Sequence, residues 1–277
     1  MRRGPEVGPL LSLGGPTVVG ADEAVNMRER IRELRHRLQE RATHYDNIMR
    51  HDTLPQQAAS AFVRRARSLE TAIWLLLENG AIAEAAILFR SQINLLWCFL
   101  FMIDARSIDG HYEFDADPPK ESPFYRRAAK YLSWHWVDLH RRTPSPRSKE
   151  MLDRLVQEHG YASEADVPAF WYLEHDIRTI KHLAAVVGGL PQYEQDYSHL
   201  SGIEHSDVTA VIVEGMDGDR YGERIAFKSS QILEAVMDFA IRICGCTGNG
   251  AWQELVEVFN IVADDLSREA RPTREGA

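Results

Sequence analysis

Residues 91–103 run for thirteen positions without a charge, and an earlier apolar stretch begins at Pro55. Ala58, Phe62, Ala66, Leu69, Ile73 and Leu76 recur at intervals of three and four, the period of a helix with one buried face. Asn79-Gly80 then interrupts the pattern, and a second apolar helix is expected over 81–104. Two such helices separated by a turn signal read as an antiparallel hairpin. Thirteen residues fall short of the roughly 20 that a membrane span needs. Glu70, Glu78, Glu84 and Arg90 break any longer window, so the hairpin is expected to lie inside a bundle rather than in a bilayer.

The rest of the chain is consistent with that core. Residues 1–24 are rich in Gly, Pro and Val without a period and are expected to be a disordered leader, with Met27 as an alternative start. An amphipathic helix over 25–52 follows, helix-forming from Asp22, with Met27, Ile31, Leu34, Leu38 and Tyr45 on one side. It must cover either this domain or another copy of the chain. Residues 53–270 are read as one helical domain. Within it 108–122 is an acidic loop, 123–142 a helix, 148–159 a short helix, 168–187 another helix that stops at Gly188-Gly189, and 224–244 a further amphipathic helix. Gly215 to Asp219 is a turn, the β-branched run 208–213 is kept helical, and 251–267 is the last helix. The fold class is therefore all-α, a multi-helix bundle built on an apolar helical hairpin.

A formal charge of −9 argues against a broadly basic nucleic-acid surface. The 32 basic residues are 27 Arg and 5 Lys, an imbalance read mainly as base composition of the genome. Three cysteines provide no disulfide framework, and the cytoplasm is the expected compartment. Arg-to-His pairs of the ribonuclease type occur at Arg30/His36, Arg37/His44, Arg106/His111 and Arg154/His159, but chance alone predicts about three in a chain this rich in arginine.

The segment 193–209 carries Tyr193, Tyr197, Ser201, His205 and Thr209 at every fourth position. On a helix that spacing stacks five polar or amphipathic side chains along one ridge. Ser201 and His205 lack the strained elbow and oxyanion donors of an acyl-transfer nucleophile. His205 with Tyr197 could serve general acid–base chemistry instead. Arg90, followed at i+4 by Asn94, interrupts an apolar helix and must be paired or face a wet cavity. Glu84, Glu70 and Glu78 are the structural partners to weigh against an anion clamp. His175, His182, His199 and His205 do not fall at a metal-ligand spacing, and no metal site is assigned.

Residues 83–96 (AEAAILFRSQINLL) and 171–207 (WYLEHDIRTIKHLAAVVGGLPQYEQDYSHLSGIEHSD) together resemble a bacterial family known as domain of unknown function 5677. The likeness spans roughly residues 60 to 245 and rests on an Arg-Ser pair in an early apolar helix and a later Tyr, Leu-Ser, His signature. It implies a helical protein in which Arg90, Tyr197, Ser201 and His205 share a polar pocket. Family members carry Glu where this chain has Asn94, which implies an altered or inactive site if that acid is chemical. The expected function is binding or regulation through recognition of an anionic small molecule or nucleotide by Arg90, Asn94 and Ser201. The alternatives are an RNA-directed hydrolase of the defence or toxin kind using His205 and Tyr197, and a structural polar network without ligand. Expected partners are a small molecule or RNA, no membrane, and a second copy of the chain through the N-terminal helix.

Overall fold

Helix α2 (Leu54–Glu78) starts where its sequence says it should. Gln56 N–H donates to Thr53 Oγ1 at 3.4 Å while Gln56 Oε1 accepts from Thr53 N–H at 3.1 Å, a reciprocal capping box, with Pro55 in the first turn. The helix ends at Asn79, and Gly80 takes φ = 73°, a left-handed conformation that costs a side chain least when there is none. Helix α3 (Ile82–Met102) then runs back along α2. Gln92 Nε2 donates to Ala66 O at 3.5 Å, and the Phe62 and Phe99 rings lie 4.9 Å apart. Both pairs are nearly equidistant from Gly80 in the chain, which fixes the antiparallel direction.

In this computed structural model the described residues are 21–48, 52–108, 111–158, 163–167, 170–173, 177–198, 200–201 and 218–244. The architecture is all-α, with helix α3 at its centre. Its residues Phe89, Ile93, Trp97, Phe99 and Leu100 are wholly shielded from solvent. Among the described residues α3 is the one helix long and apolar enough to cross a membrane, and 67% of its most apolar window is buried against the rest of the chain. Helices α4 (Pro123–Arg142), α6 (Ile180–Val186) and α8 (Gly218–Ile243) pack on it. Arg127 of α4 closes its C-terminus, donating to Phe101 O at 2.7 Å and Asp104 Oδ1 at 2.9 Å, where a cation also meets the negative end of the helix dipole. Helix α5 (Pro146–Glu158) packs on α4, and α1 (Ala21–Ile48) lies on α8. The α1 stripe Ile31, Leu34, Leu38, Ala42 and Tyr45 is at most 2% exposed, so this domain itself covers it.

Several local expectations need correcting. The segment 168–187 is not one helix: Phe170–Leu173 is a turn, with Leu173 N–H bonded to Phe170 O, and α6 starts only after Thr179, whose hydroxyl accepts from His182 N–H. Trp171 explains the break. Its ring sits 5.3 Å from Tyr131 and 6.2 Å from Phe101, and this aromatic packing outweighs local helix propensity. The acidic loop begins with an antiparallel ribbon of β1 (Arg106–Ile108) and β2 (His111–Glu113), whose Tyr112 packs edge-on against Phe239. Gly218 and Asp219, expected in a turn, open α8, and α1 begins at Ala21, inside the expected leader. The expected helices over 208–213 and 251–267 lie outside the described residues.

Candidate functional site

Helical spacing places Arg90, Asn94 and Trp97 one above the other on α3. Across from them, α7 (Leu190–Gln192) runs directly into a π-helical turn (Tyr193–Tyr197), in which Ser198 N–H reaches Tyr193 O. The ridge expected as regular helix is therefore locally widened. Residues four apart come closer to eclipse in a π-turn, and the Tyr193 and Tyr197 rings stack with centroids 5.2 Å apart and planes 22° apart. Such turns concentrate at functional positions because they re-aim side chains within an otherwise ordinary helix.

The two elements meet at Tyr197, which is 3% exposed. Asn94 Nδ2 donates to its hydroxyl oxygen at 3.1 Å, leaving the phenolic proton as a donor. The Arg90 guanidinium carbon sits 4.7 Å from the centre of the same ring, and Trp97 packs 5.2 Å from it. Trp97 Nε1 in turn donates to Gln192 Oε1 at 3.1 Å. Gly189 lets the backbone come this close: a Cβ there would lie 3.0 Å from Trp97 Cδ1. On the outer side Lys181 Nζ lies 5.6 Å from the Tyr193 ring. Asn94 Oδ1 is buried and has no hydrogen-bond partner among the described residues.

One residue before Tyr197, Asp196 points into α8 instead. Its Oδ2 accepts from Lys228 Nζ at 2.8 Å, with side chains only 2% and 5% exposed. Burial lowers the Lys228 ammonium from its ordinary range, and the charge of Asp196 opposes that fall. The π-turn thus buries two consecutive side chains on two different helices.

Of the expected site residues, the structure brings Arg90, Asn94 and Tyr197 together from positions about a hundred apart in sequence. Ser201 is half-buried one turn beyond Tyr197 and makes no hydrogen bond to those three among the described residues. His205 lies outside the described residues, as do His175 and His199. Glu70 and Glu78, weighed above as partners of Arg90, are instead taken by Arg35 at 3.5 and 3.6 Å. Trp97, Gln192 and Lys228 were not singled out in the sequence. Trp97 follows Arg90 by two helical turns, which was a usable signal; nothing in the chain announces that Lys228 faces Asp196.

A guanidinium stacked on a ring keeps its donors in its own plane, where they suit carboxylate or phosphate oxygens. Among the described residues no group of three or more His, Cys, Asp or Glu side chains converges as a metal site would require. The chain matches no family model, no curated protein and no solved structure.

Proposed function

We propose that this protein is a binding or regulatory protein that recognises an anionic small molecule or nucleotide group through Arg90, with Asn94 and Ser201 as further polar contacts and Tyr197 as the hinge of the site. The observation that carries this reading is the convergence on Tyr197, where Asn94 holds the hydroxyl and Arg90 stacks on the ring. Stacking limits the guanidinium's freedom before a ligand arrives, which lowers the entropic cost of binding.

Calorimetric titration of the full chain with inorganic phosphate, pyrophosphate, AMP and ATP tests the proposal. At least one of these is expected to bind, with affinity about tenfold or more weaker in Arg90→Ala and only partly restored in Arg90→Lys, because lysine lacks the planar donor fork. Affinity unchanged in Arg90→Ala sinks the proposal, and so does failure of all four to bind. RNA cleavage by the wild-type chain that is lost in a His205→Ala variant replaces the binding reading with a hydrolytic one.

A further inference from the structure

A separate cavity of about 320 Å³ opens between α1, the α2–α3 turn and α8, lined by Ile31, Trp74, Leu77, Ile82 and Ala226 with Arg32 at its edge. It shares no lining residue with the Arg90–Tyr197 site. Its volume lies at the small end of ligand-binding pockets, and its walls are mostly apolar, as such pockets are. Three charged side chains line it. Glu78 is held by Arg35 at 3.6 Å, and Glu223 is likewise engaged. Arg32 has no ion pair or hydrogen bond among the described residues, and its guanidinium is the cation in the lining.

Trp74, 6% exposed, gives the cavity a rigid apolar wall. One further feature has the sign of Arg32. Gly80 and Ile82 bring the start of α3 to the cavity, where Ala81 supplies no side-chain cap and the 21-residue helix presents its positive end. Arg35 packs 4.7 Å from the Trp74 ring and fixes that wall.

We infer that this cavity binds a small amphipathic acid, an apolar chain or ring bearing one carboxylate, with the body against Trp74, Leu77 and Ile82 and the headgroup at Arg32. Occupancy would bridge α1 to α2 and α8, joining the N-terminal helix to the bundle through the ligand.

The test uses the full chain and three probes of equal chain length: octanoate, octylamine and octanol, followed by calorimetry and thermal unfolding. Octanoate is expected to bind and raise the melting temperature, at least tenfold more tightly than the amine or the alcohol. Arg32→Gln, a surface change, is expected to weaken octanoate about tenfold, the loss of one charge-assisted contact. Ala226→Leu is expected to abolish binding by filling the cavity, with circular dichroism checking that the fold is kept; if that variant does not fold, Arg32→Gln alone decides. No octanoate binding, or equal binding of octylamine, overturns the inference. Octanoate binding that survives Arg32→Gln overturns it as well, even if Ala226→Leu removes it.

Discussion

Asp196 and Lys228, 32 residues apart, form an ion pair at 2.8 Å with both side chains almost wholly buried. The pair ties the π-turn to α8 and so fixes where Tyr197, the next residue, stands against α3. Removing one partner takes the 2.8 Å counter-ion from a charge that is buried away from water. Asp196→Ala or Lys228→Met is therefore expected to destabilise the chain by about 3–5 kcal/mol in urea unfolding. The double change to Asp196→Leu with Lys228→Met is expected to cost much less than the two singles added, since no charge is left buried. Additive losses would show that the two side chains do not act as a pair.

Gly189 marks a second point of close approach. A Cβ at this position would lie 3.0 and 3.1 Å from Trp97 Cδ1 and Cε2, in the side chain of a residue with no solvent exposure. A fully buried indole has nowhere to retreat. Gly189→Ala is expected to cost about 1–3 kcal/mol by overpacking, and to change the tryptophan near-UV dichroism as the Trp97–Gln192 hydrogen bond is disturbed. Unchanged stability and spectrum would mean that the backbone yields there instead.

How far the sequence was legible follows the range of the forces involved. Helix α4 could be read closely, because its signals are local: Ser122 accepts from Tyr125 N–H, Pro123 opens the first turn, and the helix ends at Thr143. The α2–α3 turn was legible for the same reason, through Asn79-Gly80. The break in 168–187 was not, since what unwinds it is the burial of Trp171 against Phe62, Phe101 and Tyr131, none of them near in sequence. Tyr197 and Asn94 were each visible as polar residues out of place on apolar or ridge positions. Nothing in the sequence paired the two, and their hydrogen bond is visible only in the structure. The Asp196–Lys228 pair left no anomaly at all, because a charged residue on an amphipathic helix looks solvated until the opposite element is known.

Burial also gives the stability a pH dependence. Glu70, 1% exposed, is pushed up to about 7 by burial despite Arg35 at 3.5 Å, and Glu234 on α8 is pushed up to about 8 by burial despite Arg41. In the unfolded chain both carboxyls lose their protons near 4.5, the ordinary value. Between there and the raised value the folded chain holds more protons than the unfolded one, so stability falls as pH rises through this window and then levels. Comparison with Glu70→Gln cancels every other group. The variant's stability relative to wild type is expected to increase by about 3 kcal/mol from pH 5 to pH 9 in urea unfolding. A constant difference across that range would show that Glu70 titrates alike in both states.

The Asn94–Tyr197 contact can be isolated in the same way. Tyr197→Phe keeps the ring under Arg90, 4.7 Å away, and removes only the oxygen that accepts from Asn94. It is expected to cost about 1–2 kcal/mol, because Asn94 Nδ2 loses its partner while Oδ1 already has none among the described residues. Asn94→Leu removes the amide and is expected to cost a similar amount on its own. Combined, the two should fall short of additivity by about 1 kcal/mol, the worth of one buried hydrogen bond measured by a double-mutant cycle. Tyr197→Leu goes further and is expected to be the most damaging of the set, since it also takes away the ring on which Arg90 and Tyr193 pack. If Tyr197→Phe and Asn94→Leu prove independent, the hydroxyl is not what joins α3 to the π-turn, and ring packing alone carries the contact.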